Sequence, residues 1–471
     1  MMSFYNDLYL FKKNLAIIDA TDNYTYQDLI DISSNIPISN KEKTLTFILC
    51  DNNIESLVCY LSCLRGNSVP FLINVDIKQD LLSNLLNIYQ PRYIWKPSLK
   101  KDEFIKLYSF KNYSLYPYQY SIDSKIHDDL KLLLTTSGST GSSKLVRLSK
   151  LNIESNANAI KQYLCLTEKE RPITTLPMSY TYGLSVINSH LAAGATILLT
   201  NKSLVTKDFW DFFRKNEATS LAGVPFSYEL LNKLKFFSMN LPSLKTITQA
   251  GGKLPKYLID AYTFFSLQKN VNFYIMYGQT EATARISYNL VNNFPSKKYS
   301  IGIPIPAGLL NIVDTNGEII SEPDNEGELI YRGSNVMMGY AENKKDLSKG
   351  SELNDILHTG DLAKFDKDGF FYITGRIKRF IKLRGIRTNL DEIEDFLQSK
   401  EIDCVVDGED DKLYIAHTPM FSVDHINNEL KNKYNFNNVS ITFISLKEIL
   451  HGDNGKILYN EIFKEIKNDN S

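Results

Sequence analysis

Cysteine is scarce, neither sign of charge prevails and no apolar run is long, and each of these absences removes a class of function. The five cysteines (Cys50, Cys59, Cys63, Cys165, Cys404) are odd in number and sit mostly within apolar runs. The one close pair, Cys59 and Cys63, has helical spacing and no metal-type neighbours, so buried reduced thiols are expected in place of a disulfide framework or a zinc site. With 53 basic and 54 acidic side chains the formal net charge is −1, which leaves no global field for nucleic acid or an anionic membrane. The opening stretch "MMSFYNDLYLFKKN" lacks the apolar core of a signal peptide, and nothing approaches the length of a membrane span. A cytoplasmic location is the expectation. Internal repeats and low-complexity tracts are also missing.

What remains is an ordinary globular composition, 43% hydrophobic and 23% charged, over 471 residues. That length exceeds one compact core and calls for at least two domains. "TLTFILC" (44–50), the helical "IESLVCYLSCLRG" and "SVPFLINV" form a βαβ pattern, continued by "TTLPM" with "SHLAAGATILLT" and by "LKTITQAGG" with "VNFYIMYGQ". The architecture is therefore α/β with largely parallel sheets. From about residue 305 the texture changes to short strands with "TNGE" and "DKDG" as hairpin turns. A final α+β segment begins near Ile377, with "NLDEIEDFLQSK" as a helix and "KLYIAHT" and "VSITFIS" as strands.

The stretch "LLLTTSGSTGSSKLVRLS" (132–149) opens as a buried strand and passes into Ser, Thr and Gly closed by Lys144. Glycines let the backbone curl so that N–H groups converge, hydroxyls add donors and the lysine adds a compact positive charge, a concavity that suits a polyphosphate. It is not a Walker A loop, because Leu145 follows Lys144 where Ser or Thr is required. By itself the loop is equally a flexible connector.

Its companions are "YGQTE" (277–281), "HTGDLAKFDKDGFFYITGR" (358–376), "IKLRGIRTNLDEIE" (381–394) and "NGK" ending at Lys456. In this order the set resembles the acyl-adenylate-forming (AMP-binding) superfamily: acyl-CoA synthetases, aryl-CoA ligases, luciferases and peptide-synthetase adenylation domains. The resemblance runs from the βαβ unit near residue 44 to Lys456. It implies a large N-terminal domain (1–376) of α/β subdomains with a small β-barrel-like subdomain, then a small mobile α+β C-terminal domain (377–471).

The resemblance also implies roles. Thr136, Ser137, Gly138, Ser139, Thr140, Gly141 and Lys144 would cradle the β- and γ-phosphates of ATP. Thr280 would contact the α-phosphate and Glu281 would ligate Mg²⁺, a hard oxygen for a hard cation; read alone, Glu281 is equally a first-turn helix glutamate. Asp361 would accept from the ribose hydroxyls, helped by Arg376. Tyr277 would stack on adenine, with Gly251 and Gly252 allowing close backbone approach. Lys456 would be the adenylation lysine, reaching carboxylate and phosphate oxygens together. Lys378 occupies the hinge position, Gly385 lies in the segment lining a thiol channel, and Lys382 matches a lysine of the alternate domain face. Departures from the family pattern are Ser143 for the usual Pro, Leu145 for the usual Gly, and "LHGDNGK" where relatives carry Pro and Arg.

The same comparison assigns "LPMSYTYGLSVINSHLAAGATILLT" to one wall of the acyl pocket, with Tyr180, Tyr182, Val224, Pro225 and Ala282 as apolar or aromatic lining. Amino-acid-activating domains place an Asp where this chain has Tyr180, and an ammonium buried without a partner is costly, so an ordinary α-amino acid is disfavoured. The implied activity is ATP- and Mg²⁺-dependent activation of a small carboxylic acid with release of pyrophosphate, then transfer to a pantetheine thiol of coenzyme A or an acyl carrier protein. An adenylate-forming amide ligase with an amine acceptor and a non-catalytic nucleotide- or acyl-binding relative are the alternatives.

Overall fold

Unbroken apolar runs become the central strands. Thr44–Cys50 and Ser68–Asn74 are buried almost throughout and pair in parallel, Thr44 opposite Ser68 and Cys50 opposite Asn74. The helix between them, Ile54–Arg65, starts where the Asn53 side chain accepts from the Ser56 N–H at 2.8 Å. All but its last residue are buried, as expected of a helix apolar on every face.

The computed structural model describes residues 3–38, 42–98, 105–118, 125–135, 144–383, 386–434, 439–452, 455–464 and 466. By compactness the chain divides into one unit of residues 1–310 and 331–357 and a second of residues 311–330 and 358–471. The domain division expected after Arg376 does not coincide with these units and stands as a proposal.

Among the described residues the first unit holds two large mixed sheets. The eight-stranded sheet is parallel through Thr44–Cys50, Ser68–Asn74, Tyr93–Pro97 and Leu130–Thr135, and antiparallel toward both edges. The nine-stranded sheet is parallel through Leu15–Ile18, Ile197–Leu198, Pro172–Ile173, Ser220–Gly223, Thr246–Gln249 and Asn272–Tyr277, again with antiparallel flanks. Parallelism is thus confined to the buried centres, where crossover helices cover both faces. "TTLPM" is not a strand: the ladder stops at Ile173, and Thr174 onward forms the loop leading to helix Thr181–Ala193. Helices Ile54–Arg65, Lys150–Tyr163 and Thr181–Ala193 supply a core shared with residues of both sheets, and Tyr60 and Asn188 satisfy one another inside it at 3.2 Å.

The second unit carries an open four-stranded sheet of Leu309–Val313, Gly327–Arg332, Ile356–Phe365 and Phe371–Arg376 in that order. The expected barrel-like piece is therefore not closed: among the described residues its two edge strands have no pairing with each other. "DKDG" is the expected turn, with Gly369 at φ +78° and Asp366 accepting from the N–H groups of Asp368 and Phe370. Farther on, strands Cys404–Glu409, Lys412–His417 and Ser440–Ser445 and helices Leu390–Ser399 and Val423–Tyr434 enclose a core that includes Ile393, Val406, Leu413, Ile415 and Ile426.

Two charged clusters sit inside these packings. In the first unit the fully buried Arg147 side chain donates to the carbonyls of Tyr340 (3.0 Å) and Met338 (3.4 Å) and pairs with Glu352. It thereby pins the returning strand Gly339–Ala341 against Leu145–Ser149. Gly339 is required at that crossing: its φ is +133°, and a Cβ would lie 2.3 Å from Glu352 Oε2. In the second unit Arg379 donates to Asp391 (2.5 Å), Glu394 (3.1 Å) and the Val406 carbonyl (3.0 Å), and stacks on the Tyr459 ring at 4.5 Å. Tyr459 in turn donates to Glu394 at 2.8 Å. Burial raises the Glu394 carboxyl from 4.5 to about 7, against the opposing pull of Arg379.

Arg147→Met leaves several carbonyls unpaired, and the expected loss is about 3 kcal/mol, the low end for a broken buried pair because Glu352 is 46% exposed. Glu352→Gln should cost about 1 kcal/mol or less. Urea unfolding midpoints for the two variants test that order. For Glu394, the folded chain holds a proton between pH 4.5 and about 7 that the unfolded chain releases, so stability falls as pH rises through that window. Melting temperature from pH 5 to 8 should decline more steeply for the wild type than for Glu394→Gln; parallel profiles would contradict the assignment.

Candidate active site

In an open parallel sheet, ligands gather beyond the carboxyl ends of the strands. Ser220–Gly223, Thr246–Gln249 and Asn272–Tyr277 end side by side, Gly223 opposite Gln249 and Gln249 opposite Ile275. The segments leaving them carry Val224, the Gly251–Gly252 pair and the "YGQTE" loop.

That last loop is rigid for identifiable reasons. A Cβ on Gly278 would lie 1.8 Å from the Ala284 carbonyl oxygen, so only glycine fits. Thr280–Ala282 makes a single 3-10 turn, after which Thr283 (φ 52°) and Ala284 (φ 96°) take left-handed backbone. The loop is bound by the segment entering Gly339–Ala341. The Asn335 amide donates to the carbonyls of Ala282 (2.7 Å) and Arg285 (2.8 Å), Thr283 Oγ1 donates to the Asn335 carbonyl (2.7 Å), and the Met337 N–H donates to the Glu281 carbonyl (2.8 Å).

On this frame Thr280 is buried and its Oγ1 accepts from Thr181 Oγ1 at 2.9 Å. Glu281 Oε1 accepts from the Tyr340 hydroxyl at 2.9 Å, and Lys144 Nζ lies 3.8 Å from the centre of the same ring. One phenol therefore gathers Lys144 and Glu281, two residues singled out from sequence, with its edge toward the anion and its face toward the cation. Burial, and then the Glu281 charge, push the Tyr340 phenol well above its ordinary value, so it remains a donor.

The residues expected from the sequence to form the acyl wall assemble beside it. Gly251 has φ +86°, and a Cβ there would lie 2.7 Å from the Tyr180 hydroxyl and 3.0 Å from Val224 Cγ1. The same atom on Gly252 would lie 3.1 Å from Pro225 Cγ, while Gln249 Nε2 donates to the Gly252 carbonyl at 2.8 Å. Tyr180 and Tyr182 meet edge to face at 6.4 Å. Burial raises both phenols to about 12. The Tyr277 hydroxyl accepts from Gln279 Nε2 at 3.2 Å, and Ala282 is fully buried.

The second unit places its residues separately. Asp361 and Arg376 are opposite each other on adjacent strands, Nε to Oδ1 3.3 Å, with Arg376 63% exposed and Asp361 8%. Lys378 is exposed in the 3-10 turn Ile377–Arg379, just ahead of the strand that begins at Phe380. Lys382 is exposed on Phe380–Leu383, its N–H donating to Asp410 at 2.7 Å. Lys456 ends a tight turn in which the Gly452 N–H donates to its carbonyl at 2.8 Å, three residues before Tyr459 of the Arg379 cluster. Thr136, Ser137, Gly138, Ser139, Thr140, Gly141 and Gly385 lie outside the described residues. Sequence reasoning missed Tyr340, Thr181 and Arg285; an arginine directly after the "YGQTEATA" run was the one available signal.

The family model described as "AMP-binding enzyme" matches residues 38–341. Oxalate–CoA ligase of Arabidopsis thaliana is 32% identical over 274 residues, which is 57% of this chain and 52% of that ligase, so the match spans about half its length. D-alanine–D-alanyl carrier protein ligase of Staphylococcus aureus is 24% identical over 409 residues, 83% of this chain and 80% of that protein. O-succinylbenzoate coenzyme A synthetase of Bacillus subtilis, solved with AMP, superposes with a TM-score of 0.79 at 21% identity over 98% of both chains. At that identity the superposition establishes the fold. A family match over well more than half of its length makes this chain a member of the AMP-binding enzyme family.

Proposed function

We propose that this chain joins a carboxylic acid to the α-phosphate of ATP and passes the acyl group to a pantetheine thiol. In the first step a carboxylate oxygen bonds to the α-phosphorus as the bond to pyrophosphate breaks. In the second, sulfur bonds to the acyl carbon and AMP leaves. Two anions meet in the first step, so the site must supply positive charge and donors where charge accumulates. The observation that carries the reading is Tyr340, which gathers Lys144 and Glu281 beside Thr280 at the carboxyl edge of a parallel sheet.

Lys144 sits at the end of the phosphate loop and offers its charge to the triphosphate, and Thr280 offers its hydroxyl to the α-phosphate. Glu281 suits a magnesium ion, which takes one or two carboxylates and completes its shell with phosphate oxygens and water. Among the described residues no group of three or more His, Cys, Asp or Glu forms a rival metal site. Bound there, the ion supplies positive charge to the phosphate oxygens. The same Bacillus subtilis synthetase has been solved with ATP and a magnesium ion, which supports this part of the reading. Tyr277, Gly251 and Gly252 take the adenine, Asp361 and Arg376 take the ribose, and Lys456 bridges carboxylate and α-phosphate oxygens. A turn of the C-terminal segment at Lys378 then exchanges Lys456 for the Lys382 and Gly385 face along the thiol path. Coenzyme A and an acyl carrier protein are the candidate acceptors; the names of the two ligase relatives include one of each. Among the described residues no helix is long and apolar enough to cross a membrane, and we place the reaction in the cytoplasm.

Lys456→Ala should lower acid-dependent exchange of labelled pyrophosphate into ATP by about 10²–10³-fold, the usual loss for one electrostatic donor, while ATP still binds; undiminished exchange would remove the lysine from the first step. Tyr340→Phe keeps the ring against Lys144 and deletes the hydroxyl bond to Glu281. A hydrogen bond to a charged group contributes about 1.5–3 kcal/mol, so the Mg²⁺ concentration for half-maximal exchange should rise by roughly ten- to a hundredfold. An unchanged Mg²⁺ dependence would show that the phenol does not orient the carboxylate.

A further inference from the structure

The first unit holds a cavity of about 180 Å³. At ~30 Å³ per water that is room for about six water molecules. Its lining starts at Ala222, Thr248 and Arg285, each a few residues from Val224, Gly251 or Glu281, and continues past Ser189 and His190. The cavity thus runs along strands Ser220–Gly223, Thr246–Gln249 and Asn272–Tyr277 from their amino ends, where Ser220, Thr246 and Asn272 line it, up to Ala222, Thr248 and Arg285. Thr181 reaches Thr280, and the next residue, Tyr182, lies beneath the Arg285 guanidinium at 4.0 Å.

Arg285 is 2% exposed, yet its Nε and Nη1 have no hydrogen-bond partner. Its guanidinium is hydrogen-bonded to the Tyr163 side chain and has Tyr180 and Tyr182 around it, none of which carries a compensating charge. Among the described residues no carboxylate pairs with it. The carboxylate on the cavity wall, Glu170, is engaged by Thr219 Oγ1 at 2.8 Å. His190 adds no positive charge: burial lowers it to about 4, its Nδ1 faces the Val186 carbonyl at 2.8 Å, and its Nε2 is a second polar atom without a partner. A buried cation without an anion is costly, and cation–π contact returns about 2 kcal/mol of that cost. Such a site is completed by an anionic ligand, and a guanidinium takes a carboxylate through two parallel hydrogen bonds.

We propose that Arg285 is a specificity-determining residue that pairs with a second carboxylate at the far end of the acid, so that the substrate is a small dicarboxylic acid. The inference rests on the acyl-adenylate reading above. Tyr182, whose hydroxyl is tied to the Thr248 carbonyl at 2.8 Å, then forms the wall along which the chain between the two carboxylates passes. The same charge opposes an α-ammonium group in the pocket.

Matched pairs of acids, butanoate against succinate and hexanoate against adipate, separate the possibilities. In pyrophosphate exchange the wild type should favour a dicarboxylate over its partner by at least tenfold in kcat/KM. Arg285→Met should bring the ratio close to one, mainly through KM, and Arg285→Lys should restore part of it. A ratio equal in the wild type and Arg285→Met would overturn the proposal. Exchange with no acid at all would count against the ligase reading alone, and the melting temperature then decides about Arg285. A rise with succinate or adipate in the wild type that is missing in Arg285→Met sustains the anion site, and no rise in either protein ends it.

Discussion

A buried guanidinium holds the first unit's site together. Arg147 stands on strand Leu145–Ser149, directly after Lys144, and its donors reach the carbonyls of a segment almost two hundred residues later in the chain. Without that clasp, Gly339–Ala341 keeps a three-residue antiparallel ladder and the bonds from the Tyr89 hydroxyl to the Ala341 carbonyl and from Tyr340 to Glu281. With it, Tyr340 is delivered between Lys144 and Glu281, and the stretch just before it closes over the "YGQTE" loop through Asn335 and Met337. Folding energy spent on one buried cation is thus converted into the spacing of Lys144 and Glu281.

The second unit uses a parallel device. Arg379, immediately after the presumed hinge, binds Asp391 and Glu394 of one helix and stacks on Tyr459, close to Lys456. Arg379, next to Lys378, and Tyr459, three residues after Lys456, therefore share a single network, and both belong to the same compact unit. Such an arrangement suits a segment that carries its lysine as a rigid body.

Much of the fold was legible because long buried strands read as continuous apolar runs and the helices between them carry caps and helical periodicity. "TLTFILC" and "SVPFLINV" needed no tertiary information. "TTLPM" misled because an apolar run crossing a loop has the same composition as a strand, while the true strand, Pro172–Ile173, is two residues long. The site was legible only in part. Glu281 and Lys144 stand in motifs whose spacing is local. Tyr340 acquires its place from strand register, Gly339 opposite Arg147, which no local pattern encodes. Arg285 carries no periodic mark at all, since a buried cation and a surface cation look alike in one dimension.

Gly278 joins these points. Its backbone touches Ala284 so closely that the turn admits no side chain, and the turn holds Glu281 and Arg285 four positions apart on one stiff hoop. The carboxylate proposed to hold the metal ion and the guanidinium proposed to select the acid are consequently cut from the same piece of backbone. On that proposal a lineage that took up a different acid would be free to exchange the arginine itself, but reshaping the hoop to accommodate the newcomer would displace Glu281 as well.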